Sequence, residues 1–530
     1  MKKEVRESGV LLPVSSLPSP YGIGTMGESA YRFVDFLKAA GQSWWQILPL
    51  TPTGYGDSPY ASFSTFAGNP YLIDLDRLAE AGLLEKAELA GIDWGHDPER
   101  VDYGKMFENR FRVLREAFER GRERLAGELA AFRAENASWL EDYALFMAVK
   151  NHFDLRPWPE WPDEGIRLHR PEAVKVWREK LAEEVDYYAF MQYLFFSQWK
   201  DLRAYAHEQG IRFIGDIPIY VALDSSDVWS SPSFFQLDEK NIPVEVAGVP
   251  PDDFTDDGQL WGNPLYDWDA MKADGFGWWI RRVEGAGRLY DMIRIDHFRG
   301  FESYWAVPNG QTTAKIGRWR PGPGMDLVGV LTSWFPHLKF IAEDLGYTTP
   351  EVEKLLADSG LPGMKVLEFG FDPDGDADYC PHNCTPNSVC YIGTHDNETV
   401  NGWVANGAGM DFLKFAADYM HITPEEGWCW GMIRTGMATQ SRLFVVQMQD
   451  LLELGPDARV NTPGRADGNW QWRMKPGAAT ADLAERLHGV TELYRRLPAA
   501  EWEEISAARR KVKAEKRAAE KAAREAEKEN

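Results

Sequence analysis

The chain has 530 residues and a mass of 60.2 kDa, with 44% hydrophobic and 26% charged residues. This composition excludes a disordered or fibrous protein, and the length is enough for a large barrel with insertions or for several smaller domains. The net charge of −24, with a sequence pI near 4.9, argues against binding to nucleic acid or to a membrane surface, because both carry negative charge.

The amino-terminal segment does not have the pattern of a targeting sequence. Lysines occur early, but the only apolar run, GVLLPV, is too short for the core of a signal peptide and contains Pro13. No stretch of the chain approaches the ~18 apolar residues that a bilayer-spanning helix needs. The sequence therefore predicts a cytoplasmic protein.

Eight short apolar segments, each ending in polar or charged residues, predict buried strands that run into loops. In chain order they are 10–16, 44–50, 212–216, 292–296, 340–344, 364–369, 389–396 and 443–450. Helical patterns lie between them, for example at 28–41, which ends with Gly41, and at 350–360, which begins with Pro350 and ends with Gly360. The alternation predicts an α/β fold, a closed (β/α)8 TIM barrel rather than an open doubly wound sheet.

Two connections between predicted strands are far longer than ordinary barrel loops. Residues 76–205 are rich in Glu, Arg, Leu and Ala, which predicts a helical insertion subdomain. Residues 221–288 contain VAGVPPDDFTDDGQLWGNPLYDW, a pattern typical of an irregular ordered loop or lid beside a site. The barrel with its insertions is thus predicted to occupy residues 1–500. The charged residues 501–530 predict a solvated helical tail, with a partner-binding role as the alternative.

The cysteines and glycines of the chain argue against a metal or a nucleotide cofactor. Four cysteines cannot form a disulfide framework. The spacing of Cys380, Cys384 and Cys390 lacks the CxxC pair typical of zinc sites, so it predicts buried thiols, with structural zinc as the alternative. No phosphate-binding glycine motif follows a predicted strand. We therefore expect no cofactor.

Four carboxylates follow predicted barrel strands, at the end of a barrel where active sites are built: Asp216, Asp296, Glu343 and Asp396. Alternation along a strand places Arg294 on the same face as Asp296, where its guanidinium would lower the pKa of Asp296 and keep it ionised as a nucleophile. A structural ion pair is the alternative. Burial would raise the pKa of Glu343 and make it a proton donor. A helix-capping role is the alternative for Glu343, and for Asp344 a helix cap or a hydrogen bond that supports the site is the preferred interpretation. A simple strand-end acid is the alternative for Asp216.

Aromatic side chains are unusually frequent, with 22 Trp, 20 Tyr and 27 Phe. Flat rings pack against the C–H faces of sugars as readily as against a hydrophobic core. Most of these rings are expected to lie in the core. The excess of Trp nevertheless favours a carbohydrate ligand.

From about residue 8 to residue 498 the sequence resembles the amylomaltases or 4-α-glucanotransferases, relatives of the α-amylase enzymes. The resemblance rests on ordered motifs that include LLPVSSLPSPYGIG, WWQILPL, GYGDSPYASFSTFAGNPYLIDL, RFIGDIPIYVALDSSDVW, GVPPDDF, QLWGNPLYDW, RIDHFRGFESYW, AEDLG, GTHDNET and VNTPGRADGNWQWR. It implies a retaining transglycosylase that acts on α-1,4-glucans or maltooligosaccharides.

The resemblance also implies roles for individual residues. It implies Asp296 as nucleophile, Glu343 as general acid and base, and Asp396 as the acid that stabilises the transition state. It further implies sugar contacts for Arg294, His395, Asp216, Tyr60, Trp261 and Asn469. A hydrolase on the same scaffold and a catalytically silent glucan-binding protein remain alternatives. Asp253, which follows PPD in the second long connection, departs from the family pattern, because a charged side chain cannot stack on a sugar.

Overall fold

The computed structural model of the protein describes residues 6–54, 56–251, 256–346, 348–375, 377–465 and 467–529. Within these residues, eight parallel strands form one sheet in the order β10-β11-β12-β1-β2-β3-β6-β9. The strands of the chain are β1 (Glu7–Leu11), β2 (Trp44–Gln46), β3 (Arg212–Ile217), β4 (Glu245–Val249), β5 (Gln259–Pro264), β6 (Met292–Ile295), β7 (Ser303–Pro308), β8 (Arg318–Pro321), β9 (Lys339–Ala342), β10 (Gly363–Val366), β11 (Ser388–Tyr391) and β12 (Leu443–Gln447).

The eight parallel strands coincide with the eight predicted apolar segments. The two ends of the sheet meet where the Ala342 N–H donates to the Pro362 carbonyl at 2.9 Å, next to β9 and β10. The sequence prediction of a (β/α)8 barrel is therefore confirmed. Seven of the eight strands end earlier than their apolar segments, so the polar residues at the ends of those segments lie in loops at the carboxyl-terminal mouth of the barrel. Strand β3 continues to Ile217 and so includes Asp216.

Side chains inside the barrel form a separate apolar cluster. It contains Leu11, Trp44, Ile214, Met292, Ile341, Met364, Val366, Val389, Tyr391, Leu443 and Val445. Ile293 and Ile295, which alternate with the inward-facing residues of β6, pack instead in the cluster under the helices. This alternation sends Arg294 to the interior of the barrel, as the sequence predicts.

The helices cover the outside of the barrel and build its insertions. Their bounds are α1 (Glu28–Ala39), α2 (Leu75–Glu80), α3 (Lys86–Leu89), α4 (Tyr103–Gly121), α5 (Ala126–Glu135), α6 (Leu140–His152), α7 (Glu164–Arg167), α8 (Pro171–Lys180), α9 (Ala182–Glu208), α10 (Ser226–Ser230), α11 (Trp268–Ala273), α12 (Gly277–Leu289), α13 (Met325–Trp334), α14 (Pro350–Ser359), α15 (Val400–Gly402), α16 (Met410–Met420), α17 (Gly427–Ala438), α18 (Met448–Leu451), α19 (Ala481–Leu493) and α20 (Ala499–Glu529).

Helix α14 begins and ends at the residues that the sequence indicates. The Thr349 side chain accepts a hydrogen bond from the Val352 N–H and caps α14, and Gly360 ends that helix in the left-handed region at φ +67°. Within the described residues, no helix combines the length and the apolar character that crossing a membrane requires.

The long connection between β3 and β6 is more regular than its composition predicts. It contributes β4 and β5 to a four-stranded antiparallel sheet of order β5-β4-β7-β8, whose other strands come from the connection between β6 and β9. The irregular loop expected over residues 221–288 is thus partly a sheet. Because β4 pairs with β7, a strand about sixty residues further along, no local pattern in the segment reveals the pairing.

A buried arginine ties the carboxyl-terminal part of the barrel to its first strand. Arg496 is fully buried, and its guanidinium donates to the backbone carbonyls of Glu7, Met437, Thr439 and Ser441 at 2.9–3.0 Å. We expect the substitution Arg496→Met to lower the free energy of unfolding by about 3 kcal/mol or more, since it leaves several buried carbonyls unpaired. Denaturant unfolding measures the change.

The neighbouring arginine provides a matched control for this prediction. Arg495 is exposed and lies 4.4 Å over the Trp502 ring, a contact that contributes roughly 1 kcal/mol or less. Arg495→Met should therefore change the stability much less than Arg496→Met. Equal effects of the two substitutions would show that the carbonyl contacts of Arg496 do not stabilise the barrel.

Candidate active site

One large cleft lies over the carboxyl-terminal mouth of the barrel. Its volume is about 3380 Å³, far more than a drug-sized pocket holds, and its walls combine apolar rings with carboxylates and arginines. Its lining includes every site residue that the sequence analysis singled out except Asp216, namely Tyr60, Trp261, Arg294, Asp296, Glu343, His395, Asp396 and Asn469. A cleft of this size and character can hold an extended ligand with many hydroxyl groups.

Asp216, Tyr60, Arg294 and Asp296 form one hydrogen-bonded group at the floor of the cleft. Arg294 and Asp216 face each other on the paired strands β6 and β3. The Arg294 guanidinium donates through Nη1 to Asp216 Oδ2 at 2.6 Å and to Asp296 Oδ1 at 3.0 Å, and the Tyr60 hydroxyl donates to Asp216 Oδ2 at 2.8 Å. Asp216 Oδ1 and Arg294 Nε are buried without a partner among the described residues. Asp216 thus fixes the arginine that contacts Asp296.

Asp296 and Glu343 lie side by side at the ends of neighbouring strands. Ile295 of β6 pairs with Ala342 of β9. Asp296 and Glu343 directly follow these two residues and therefore lie opposite each other. The Glu343 N–H donates to the Ile295 carbonyl at 3.0 Å, which continues the ladder to this position. The backbones of adjacent strands are about 4.8 Å apart. Residues that follow two such strands can therefore bring their carboxylates to the roughly 5–5.5 Å that a retaining glycosidase needs.

Backbone N–H groups hold the Glu343 carboxylate. Glu343 Oε2 accepts from the His297 N–H at 2.6 Å, and Oε1 accepts from the Leu345 N–H at 3.0 Å. The next residue, Asp344, accepts from the Met364 N–H at 2.7 Å and so connects β9 to β10; it does not cap α14, whose cap is Thr349. Glu343 and Asp344 therefore have different hydrogen-bond partners, and of these two only Glu343 acts on the pKa of Asp296 among the main contributions.

The pKa values of these two acids lie above the ordinary range. Burial raises the pKa of Asp296 to about 8; Arg294 acts in the opposite direction, while Asp216 and Glu343 raise it further. Arg294 does lower this pKa, as the sequence predicts, but burial and the neighbouring carboxylates outweigh it, so the prediction of a low net pKa is wrong. Burial also raises the pKa of Glu343, as predicted, so the site retains a proton near neutral pH.

Asp396 and His395 enter the same cleft from the loop after β11. His395 Nε2 lies 3.2 Å from Asp396 Oδ2. Burial lowers the pKa of His395, so the ring is neutral; with Nε2 donating to Asp396, the buried Nδ1, which has no protein partner among the described residues, is an acceptor. Asn461 donates to Asp396 Oδ1 at 2.6 Å, and Arg459 donates to the Asp396 carbonyl at 2.7 Å.

Aromatic rings cover part of this group. The Tyr60 and His395 rings are stacked, with centroids 5.3 Å apart and planes 13° apart, and Trp470 lies 5.8 Å from Tyr60. Trp261, which also lines the cleft, is 36% exposed and meets the His297 ring edge to face at 4.8 Å. These rings give the cleft flat apolar surfaces.

Asn469 lies in the wall of the cleft, but its amide stabilises its own loop. It accepts from the Thr462 N–H and donates to the Thr462 and Arg465 carbonyls. Asn461, eight residues earlier in the same motif, contacts Asp396. The sequence does not single out Asn461, because both asparagines lie near Pro and Gly residues of one motif and only the fold shows which of them reaches Asp396.

The cysteine cluster lies away from these residues and is buried with free thiols at Cys380, Cys384 and Cys390. Within the described residues, no group of three or more His, Cys, Asp or Glu side chains is arranged to hold a metal ion. Asp253, for which the sequence analysis expected an effect on sugar stacking, lies outside the described residues.

A buried acid behind the site gives a prediction about stability. Asp450 is fully buried, burial raises its pKa to about 7, and its Oδ1 accepts from the Val400 N–H at 2.8 Å. The pKa of Asp450 is higher in the folded than in the unfolded protein, so the protonated side chain favours the folded state. This contribution to the free energy of unfolding is complete below the unfolded pKa near 3.8 and is lost as the pH rises through about 7. Asp450→Asn keeps the acceptor and removes the charge. We expect it to gain stability over the wild type with rising pH, by of order 4 kcal/mol at pH 8.

Denaturant unfolding at several pH values between 5 and 8 measures this difference. The exposed Asp457 provides the matched control, and Asp457→Asn should show no such pH-dependent gain. A constant difference between Asp450→Asn and the wild type over this range would contradict the assigned pKa.

Comparison with known proteins identifies the family. Residues 12–480 match the family model described as 4-alpha-glucanotransferase. Proteins of that name from Clostridium butyricum and Thermus thermophilus are 46% and 47% identical over 484 and 502 residues, covering 91% and 93% of this chain and 99% of each relative. The structure of amylomaltase from Streptococcus agalactiae in complex with acarbose is 45% identical, with a TM-score of 0.91, over 93% of this chain and 100% of that chain. The chain therefore belongs to the 4-alpha-glucanotransferase family.

Proposed function

We propose that the enzyme transfers α-1,4-glucan segments to the 4-hydroxyl of glucose or of another glucan by a retaining double displacement, with Asp296 as the nucleophile and Glu343 as the acid and base. The observation that carries this assignment is the position of the two residues directly after the paired strands β6 and β9, in the wall of a cleft large enough for a glucan. The family membership supports the same reaction, and so does the name of the relatives, 4-alpha-glucanotransferase.

In the first step, a carboxylate oxygen of Asp296 attacks the anomeric carbon and Glu343 gives its proton to the departing glycosidic oxygen. Arg294 lies against Asp296 rather than Glu343, so we place the negative charge on Asp296 and the shared proton on Glu343. The bond from the anomeric carbon to the leaving oxygen breaks, and a glycosyl ester forms on Asp296. The freed glucan leaves with the proton.

In the second step, Glu343 removes the proton from the 4-hydroxyl of an acceptor, whose oxygen attacks the anomeric carbon and releases Asp296. Asp396, fixed by Asn461 and His395, is placed to bind sugar hydroxyls and to stabilise the positive charge that develops on the sugar ring. Two inversions at one carbon retain the α configuration.

Transfer requires that a sugar hydroxyl reaches the ester before water does. The segment 247–266, which includes β5, contributes Gly248, Val249, Pro250, Pro251, Gln259 and Trp261 to the wall of the cleft. We assign to the described residues of this segment the covering of the acceptor side and the exclusion of water. Trp261, with its exposed ring, is the platform that we assign to a sugar of the acceptor.

Maltotriose as the sole substrate tests the proposed function. We expect glucose together with a ladder of longer maltooligosaccharides, resolved by chromatography, because each transfer shortens one chain and lengthens another. Shorter products alone would identify a hydrolase on the same scaffold. The absence of any conversion, combined with measurable binding of maltooligosaccharides, would identify a silent glucan-binding protein.

Three further assignments from the sequence remain predictions. These are the division into a barrel unit at residues 1–500 and a tail at 501–530, the treatment of 76–205 and 221–288 as insertion subdomains, and the cytoplasmic location. The 76–205 segment contains α3 to α8 and most of α9, and the tail lies within α20.

A further inference from the structure

A further acid, Glu368, follows β10, the strand that lies between β9 and β11. Glu343 follows β9, and Asp396 lies in the loop after β11. Glu368 belongs to the short 3-10 turn at Leu367–Phe369, directly after β10. Strand β10 pairs with β11 on one side and meets β9 on the other. Glu368 is only 6% exposed, and it contributes to the wall of the same cleft. Its position in the barrel therefore falls between Glu343 and Asp396.

The Glu368 carboxyl packs against the start of the loop that bears His395 and Asp396. The Glu368 N–H donates to the Ile392 carbonyl at 3.1 Å, and a Cβ atom added to Gly393 would lie 3.1 Å from Glu368 Oε1. Oε1 itself is buried and has no hydrogen-bond partner among the described residues. A buried polar oxygen without a partner is costly, so its retention in the wall of a binding cleft points to a ligand.

The charges around Glu368 favour its neutral form. Burial raises its pKa well above the ordinary value; Asp450 and Glu398 raise it further, and Arg459 acts in the opposite direction. Arg459 is engaged elsewhere, with Glu398 Oε2 at 3.6 Å and the Asp396 carbonyl at 2.7 Å. A neutral carboxyl can donate as well as accept a hydrogen bond, which an ionised one cannot do.

We propose that Glu368 is a further sugar-binding residue, whose neutral carboxyl donates a hydrogen bond to a hydroxyl of the glucosyl unit held between Glu343 and Asp396. This inference rests on the proposed function, because that function places a glucosyl unit there. It adds to the site a donor group, which complements the acceptors on Asp396 and on the Nδ1 atom of His395.

Two substitutions of similar size separate a hydrogen-bonding role from a packing role. Glu368→Gln keeps a donor at the same place and should retain kcat/KM for maltotriose within about threefold of the wild type. Glu368→Met fills the same space without a donor and should lower kcat/KM by roughly tenfold to a hundredfold. A Glu368→Met enzyme within threefold of the wild type, or a Glu368→Gln enzyme as impaired as Glu368→Met, would overturn the proposal.

The pH dependence of binding supplies a second test that does not require turnover or the Met variant. In the Glu343→Gln background, maltotetraose affinity, measured by calorimetry over a series of pH values, should weaken with rising pH as Glu368 loses its proton. The double variant Glu343→Gln/Glu368→Gln cannot lose this proton. Asp296 and Asp450 titrate in both proteins, so a difference between the two curves that grows with pH reports the loss of the Glu368 proton, and parallel curves would overturn the proposal.

The same experiments distinguish failure of this inference from failure of the proposed function. If the wild type does not elongate maltotriose, the proposed function fails, and the binding curves still decide whether Glu368 holds a sugar. If the wild type elongates maltotriose and the curves are parallel, the function stands and Glu368 has no role in binding.

Discussion

Asp296→Asn should lower kcat for transfer from maltotriose by about 10⁴-fold or more, while maltooligosaccharides still bind with a Kd close to that of the wild type. The amide keeps the size of the side chain and can still accept a hydrogen bond from Arg294, but it cannot form the glycosyl ester. The loss should therefore fall on kcat rather than on binding. Glucose release measures turnover, and calorimetry measures affinity.

The other end of the same strand supplies the matched control. Asp291 directly precedes β6 at the amino-terminal face of the barrel, where it pairs with Arg203 at 2.6 Å and with His207 at 2.9 Å. Because that face of a barrel serves stability rather than chemistry, Asp291→Asn should lower the melting temperature and leave kcat within about twofold. An Asp296→Asn enzyme that keeps wild-type turnover would remove Asp296 from the mechanism.

The sequence predicts the barrel well because its strands are buried on both faces. Such strands are short continuous apolar runs, and the polar residue after each run marks the mouth of the barrel, as at Asp216 and Asp296. The antiparallel sheet could not be predicted in the same way. Its strands belong to two different connections. The register between β4 and β5 also shifts between Val246 and Gly248 of β4, so the residues of β5 do not follow a regular inside–outside alternation.

Prediction of the site from the sequence is limited for a related reason. The alternation along the strand predicts that Arg294 and Asp296 share a face. The structure agrees, with Arg294 Nη1 3.0 Å from Asp296 Oδ1. The pKa of Asp296 depends first on burial and then on charges from β3, from the residue after β9 and from the loop after β11, so the pattern of one strand predicts the wrong direction. The sequence does not point to Glu368, because the Glu-Phe end of its segment matches no catalytic or binding motif. Its burial, which only the structure shows, distinguishes it from an ordinary strand-end acid.

The second large effect concerns the acid and base. Glu343→Gln should lower turnover of maltotriose by about 10³-fold or more, because the leaving sugar oxygen no longer receives a proton. The loss should be much smaller for the first step with α-maltotriosyl fluoride, whose leaving group needs no protonation. Since the acceptor then lacks a base, the glycosyl ester on Asp296 should accumulate. Intact-protein mass spectrometry would detect the added maltotriosyl unit, and peptide mapping would place it within β6 and the residue that follows.

A carboxyl in the same cleft serves as the control for this experiment. Glu353 of α14 is exposed and lines the cleft, so Glu353→Gln should keep turnover within about twofold and accumulate no ester. The configuration of the product gives an independent check, because a double displacement must yield α-linked transfer products from the α-fluoride. β-linked products, or rapid turnover of the fluoride by Glu343→Gln without an ester, would show that these two acids do not act in sequence on one carbon, whatever their positions on β6 and β9.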